Sequence, residues 1–103
     1  MQKVLAGTLA DFPIGTQKIV ELEDDYVLLV HSISGFWAIE DRCSHDDNEL
    51  FGGEVTDNII KCPRHGAKFD LATGKALCLP AVKAIKSFAV SLEPDGIYVL
   101  SPE

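Results

Sequence analysis

Two short motifs in the middle of the chain combine thiol and imidazole side chains. The first is Cys43-Ser44-His45, and the second is Cys62-Pro63-Arg64-His65. Two thiolates and two imidazoles that converge suit either a tetrahedral zinc ion or an iron–sulfur cluster. Classical zinc fingers pair Cys with Cys and His with His, whereas each motif here mixes the two residue types. The mixture favours a diiron site in which each loop gives its cysteine to one iron and its histidine to the other.

These motifs and the residues that follow them resemble the Rieske family. The resemblance covers Cys43-Ser44-His45-Asp46, Cys62-Pro63-Arg64-His65-Gly66, Phe69-Asp70, Thr73-Gly74-Lys75 and Leu79-Pro80-Ala81. It implies one [2Fe–2S] cluster, with Cys43 and Cys62 on the inner iron and His45 and His65 on the outer, solvent-facing iron. Two histidines in place of two cysteines on one iron raise the reduction potential. The segment around Pro80 is then expected to shield the cluster.

Within that family, the chain is similar to the ferredoxin-type members rather than to the respiratory ones. Respiratory members carry a disulfide between the two motifs, where this chain has Asn48 and Arg64. They also place serine and tyrosine hydroxyls near the sulfurs, where this chain has Ala67 and Phe69. Fewer hydrogen-bond donors stabilise the reduced cluster less, so we expect a potential near the lower end of the roughly −150 to +300 mV Rieske span.

The rest of the chain must supply a scaffold for these loops, and its pattern predicts an all-β protein. Short apolar runs alternate with turn signals, which is typical of an antiparallel β-sandwich or barrel. The predicted strands are Lys3–Thr8, Thr16–Leu22, Tyr26–Ser32, Phe36–Glu40, Ile59–Cys62, Lys68–Asp70, Lys83–Leu92 and Ile97–Leu100. The resemblance implies the sandwich. We therefore predict one domain over residues 1–103, with a cluster-binding insertion of short strands and loops at about 41–80.

Composition narrows the classes of partner. The chain has 103 residues, which corresponds to one domain, and its formal net charge is −7. Nucleic acid attracts basic surfaces and is not an expected partner. The acidity would steer the protein toward a basic patch on another protein, or it serves solubility alone.

The cysteine count and the apolar runs bear on location. An odd number of cysteines, three, argues against a disulfide framework and fits a reducing compartment. No apolar run approaches the roughly 18 residues of a membrane span. We predict a cytoplasmic monomer without a membrane segment.

By the resemblance, the chain is a one-electron carrier that links a flavin-dependent reductase to an oxygenase or another acceptor. It is not predicted to be an enzyme, because outer-sphere electron transfer needs no catalytic residue. A mononuclear iron site, as in a catalytic oxygenase, is excluded because His31 is the only histidine left. The alternatives are a fixed electron-transfer subunit or accessory of a reductase or iron–sulfur assembly system, a structural zinc domain and, last, a redox sensor.

Two further features are open to a functional or a structural interpretation. Cys78 has apolar neighbours and is predicted to be a small core residue rather than a ligand. The acidic residues Asp46, Asp47 and Glu49 lie beside His45 in the sequence. They are either part of a docking surface for a basic partner or a solvated loop.

Overall fold

The architecture is known from a computed structural model that describes residues 2–22, 25–42, 49–64, 66–78 and 83–101. In these ranges the strands are β1 (Gln2–Gly7), β2 (Gln17–Glu21), β3 (Tyr26–Ser32), β4 (Gly35–Glu40), β5 (Glu54–Thr56), β6 (Ile59–Lys61), β7 (Lys68–Asp70), β8 (Ala76–Cys78), β9 (Ser87–Glu93) and β10 (Gly96–Ser101). A 3₁₀ turn spans Leu9–Asp11. All pairings described between strands are antiparallel, which confirms the predicted fold class.

The strands form two sheets. The larger sheet has six strands in the order β1-β10-β9-β4-β3-β2, and the smaller one has four in the order β5-β6-β7-β8. All four strands of the smaller sheet lie between β4 and β9 in the chain. The two predicted metal-binding motifs therefore lie in the long connection that leaves and rejoins the larger sheet.

Strand β3 is buried on both faces, as its continuous apolar run predicts. Successive side chains of a strand point to opposite faces. Val27 lies in one hydrophobic cluster with Ile97 of β10, while Leu28 lies in the other with Phe69 of β7. Both halves of the six-stranded sheet therefore enclose one core, and the four-stranded sheet covers the outer face of β3.

Some strand boundaries differ from the predicted ones. Strands β5 and β8 were not predicted, and each is a strand through its pairing with a neighbour in the smaller sheet. The predicted run Lys83–Leu92 becomes a strand only at Ser87. The reason is that the Ile85 N–H donates to the carbonyl of Gly74, at 2.8 Å, instead of joining a sheet.

His31 has a structural role, as predicted. Its Nδ1 lies 2.7 Å from the Phe12 carbonyl oxygen, and its ring stacks on Phe36 with centroids 3.9 Å apart. No helix in the described part of the chain is long and apolar enough to cross a membrane.

Candidate metal centre

The second motif begins directly after β6, and its cysteine points into the core. The Cys62 N–H donates to the Ala67 carbonyl at 2.6 Å, and the Gly66 N–H donates to the Cys62 carbonyl at 3.1 Å. These bonds close the loop between β6 and β7. Cys62 is free and only 1% exposed. Its thiol is therefore held on the protein side of the loop.

The same loop passes from the core to the surface within a few residues. Cys62 belongs to the hydrophobic cluster that contains Ala67 and Phe69, whereas Pro63 and Arg64 are exposed. His65 lies outside the described residues. A ligand set built on this loop would thus have a buried thiolate end and an outer end near solvent.

The first motif lies outside the described residues, but both of its flanks are described. Asp41 directly follows β4, and one carboxylate oxygen (Oδ1) accepts the N–H groups of Leu50 at 2.9 Å and Phe51 at 3.0 Å. Asp41 is 8% exposed. Burial raises the pKa of its carboxyl above the ordinary value, the two N–H groups act in the opposite direction, and Glu49 adds to the rise. The carboxylate ties the first described flank to Leu50 and Phe51 in the second.

The third segment, which contains Leu79, Pro80 and Ala81, also lies outside the described residues. In the chain it follows β8, which ends at Cys78, and it precedes Ile85, whose N–H donates to the Gly74 carbonyl at 2.8 Å. Nothing is described of the Cys78 side chain, so its predicted place in the core stays a prediction.

The described flanks of the three segments converge. Leu50 follows the first segment, Cys62 opens the second and Ile85 follows the third, and all three side chains belong to one hydrophobic cluster. Of the four predicted ligands, the structure thus places Cys62, while Cys43, His45 and His65 lie outside the described residues. A buried free thiol at the point where these flanks meet suits a metal centre with thiolate ligands on its protein side.

Sequence reasoning missed two residues that organise this region, Asp41 and Gln17. An aspartate at the end of a strand often accepts nearby backbone N–H groups, so Asp41 carried a recognisable signal. Gln17 carried none, because its partners Gly52 and Gly53 are distant in the chain.

Comparison with known proteins agrees with this geometry. The family model described as the Rieske [2Fe-2S] domain matches residues 2–89. A 3-phenylpropionate/cinnamic acid dioxygenase ferredoxin subunit from Photorhabdus laumondii is 38% identical over 104 residues, covering 100% of this chain and 98% of its own length. The subunit of that name from Escherichia coli K12 is 36% identical, with 100% and 97% covered.

Solved structures show the same similarity. The ferredoxin of carbazole 1,9a-dioxygenase from Nocardioides aromaticivorans IC177 superposes with a TM-score of 0.88 at 28% identity, over 96% of this chain and 97% of that one. A chain in a complex of reduced oxygenase and oxidized ferredoxin of carbazole 1,9a-dioxygenase gives a TM-score of 0.87 at 26% identity, over 94% and 91%. The resemblance inferred from the motifs and the predicted sandwich are both confirmed.

Proposed function

The chain belongs to the Rieske [2Fe–2S] domain family, and on that premise we propose that it is a one-electron carrier of a ring-hydroxylating dioxygenase system. It takes electrons from a flavin-dependent reductase and delivers them to the oxygenase, and it transforms no substrate itself. The observation that carries this proposal is the 38% identity, along the whole of both chains, to a dioxygenase ferredoxin subunit. When bound, the [2Fe–2S] cluster supplies a single one-electron couple.

Cys43, His45, Cys62 and His65 are the proposed ligands. They are the two cysteines and two histidines of the paired motifs, in a region whose described flanks share one hydrophobic cluster. Mixed thiolate and imidazole ligation is the Rieske pattern. Residues 41–80 form the cluster-binding insertion of a single domain, since this stretch contains the whole four-stranded sheet.

The proposed centre has one side buried in the protein core and one side that faces solvent. Leu50, Ala67 and Phe69 are fully buried with Cys62, so they exclude water from the cysteine side. Pro63 and Arg64 are exposed directly before His65. Electrons therefore enter and leave at the histidine edge, where a partner approaches without displacing core residues.

The partners are redox proteins with basic docking surfaces. The formal net charge of −7 attracts such surfaces over a distance set by ionic strength. A carrier that alternates between two partners is best served by a monomer. The cytoplasm is its location, because a reducing compartment keeps the ligand thiols free.

The proposal is tested by replacing the ferredoxin subunit of 3-phenylpropionate/cinnamic acid dioxygenase from E. coli K12 with this protein. The reconstituted mixture of reductase, this carrier and oxygenase is assayed for product and for NADH consumed. We expect product formation that saturates with the concentration of this protein and stops when it is omitted.

Two outcomes would contradict the carrier function. A cluster-loaded protein that the reductase reduces but no oxygenase reoxidises would separate it from dioxygenase systems. A protein that copurifies in fixed stoichiometry with one reductase and is active only in that complex would support a fixed subunit instead.

A further inference from the structure

One carboxylate of the larger sheet closes the loop that carries the first motif. Asp41 Oδ1 accepts the N–H groups of both Leu50 and Phe51, at 2.9 and 3.0 Å. The Asp41 N–H donates to the Tyr26 carbonyl at 2.8 Å, which fixes Asp41 to the start of β3. The residues on both sides of 43–48 are thus joined through one anchored side chain. A buried acceptor of two backbone N–H groups cannot be removed without leaving those donors unpaired.

A second side chain of the same sheet holds the next two residues. Gln17 Nε2 donates to the Gly53 carbonyl at 2.8 Å, and Gln17 Oε1 accepts the Gly52 N–H at 2.8 Å. The side-chain amide thus pairs with the backbone of 52–53 as a neighbouring strand would. Gln17 lies on β2 and Asp41 follows β4, the two strands that flank β3. The segment 50–53 is therefore held from both sides of β3.

The held segment packs directly on Lys61, the residue before the second motif. A Cβ added to Gly53 would overlap the Lys61 carbonyl oxygen and lie 3.0 Å from the Leu50 carbonyl oxygen. Glu54 pairs with Lys61 in the β5–β6 ladder. Lys61 immediately precedes Cys62, so the position of 50–53 fixes the end of the first loop relative to the buried thiol.

We propose that Asp41 and Gln17 form a clasp that sets the distance between the first ligand loop and Cys62, and thereby positions Cys43 and His45 for the cluster. Both are positioning residues, and neither is a ligand. The inference rests on the ligand assignment proposed above. It applies the general rule that residues which orient metal ligands are nearly as important as the ligands themselves.

The test follows cluster release from the reconstituted holoprotein in excess chelator, by visible absorbance, together with the electron paramagnetic resonance spectrum of the reduced form. The variants are Asp41→Ala, Asp41→Asn and Gln17→Met. Asparagine keeps an oxygen acceptor but loses the charge, and methionine keeps the shape of Gln17 without its hydrogen bonds. Asp95→Ala is the matched control, because its carboxylate, which accepts the Tyr98 hydroxyl at 2.7 Å, lies at the β9–β10 turn.

Asp41→Ala should release the cluster about 10–100-fold faster than the wild type and shift its resonance spectrum. Asp41→Asn should keep the release rate and the spectrum close to those of the wild type, because its side-chain oxygen can still accept both N–H groups. If only the charge of Asp41 mattered, Asp41→Asn would behave like Asp41→Ala. Gln17→Met should release the cluster faster than Asp95→Ala. If Asp41→Ala does not fold, the comparison of Gln17→Met with Asp95→Ala still tests the proposal.

Three results would overturn the clasp. The first is that Asp41→Ala and Gln17→Met both release the cluster at the rate of Asp95→Ala. The second is that Asp41→Asn releases the cluster as fast as Asp41→Ala. A wild-type protein without a Rieske spectrum would refute the ligand assignment and, with it, the clasp. Failure of the clasp alone would leave the wild-type spectrum intact, so the experiment distinguishes the two failures.

Discussion

At the scale of single residues, the buried side of the second loop sets the surroundings of the proposed cluster sulfurs. Ala67 and Phe69 are fully buried and share a cluster with Cys62. Neither side chain can donate a hydrogen bond, so they pack against this side without stabilising added negative charge. The low potential expected from the sequence thus has a local physical cause.

The double variant Ala67→Ser, Phe69→Tyr should raise the midpoint potential. Two new hydroxyls on the cysteine side favour the reduced, more negative form, and we expect a rise of tens of millivolts within the roughly −150 to +300 mV Rieske span. Protein-film voltammetry measures it. Phe88→Tyr is the control, because Phe88 lies in the other hydrophobic cluster. An unchanged potential with an intact cluster would refute this explanation.

The cysteines make a second prediction at this scale. Cys62→Ala should abolish the [2Fe–2S] absorbance, because it removes one of the four proposed ligands. Cys78→Ala should retain a full cluster. Iron and sulfide analysis after reconstitution distinguishes the two variants. A cluster in the first or a loss in the second would reverse the assignment.

Functional residues could be recognised from the sequence where a local motif indicates their chemistry. Cys62 was identified from its motif, and Ala67 and Phe69 were identified through the family resemblance as positions without a hydroxyl. Asp41 carried only a general signal, that of an aspartate at the end of a strand, and Gln17 carried none, since the partners of both are brought near only in the folded chain.

At the scale of elements, the turn after β7 holds Ile85, which follows the third segment in the chain. Gly74 has φ +79°, and a Cβ there would overlap the carbonyl oxygen of Ile85. The same two residues are joined by the hydrogen bond from Ile85 to Gly74. Close backbone contact and a left-handed conformation both require glycine here.

Gly74→Ala should destabilise the protein by at least about 2 kcal/mol, from backbone strain plus the overlap. Urea unfolding measures the loss. Gly15→Ala is the matched control, since Gly15 has φ +97° but no neighbour within 4 Å, and the positive φ alone should cost about 1 kcal/mol. Equal losses in the two variants would show that the contact with Ile85 is unimportant.

Strand prediction succeeded for some elements and failed for others. Tyr26–Ser32 and Lys68–Asp70 have the bounds that the sequence predicted. Glu54–Thr56 and Ala76–Cys78 are strands only because the four-stranded sheet pairs them. The sequence predicted this region only as short strands and loops.

At the scale of the whole molecule, net charge governs the approach of partners. A formal charge of −7 acts over about 30 Å at 0.01 M salt but only about 8 Å at 0.15 M. The rate at which a basic partner oxidises the reduced carrier should therefore fall steeply with salt. Stopped-flow absorbance with the oxygenase measures it.

The location of that charge is also testable. The triple variant Asp46→Asn, Asp47→Asn, Glu49→Gln should flatten the salt dependence if these residues form the docking surface. Neutralising Asp11, Asp57 and Asp95 changes the net charge equally and should have a smaller effect. Equal effects would indicate that the acidity acts only through the total charge.

The central claim is the mixed ligation of one [2Fe–2S] cluster by two cysteines and two histidines. Pulsed electron paramagnetic resonance of the dithionite-reduced protein, with and without ¹⁵N-histidine labelling, tests it most directly. We expect couplings to two histidine nitrogens, as Rieske ligation requires, and we expect these couplings to be lost in the double variant His45→Cys, His65→Cys. A reduced cluster without histidine nitrogen couplings, or a colourless protein that binds stoichiometric zinc, would contradict it.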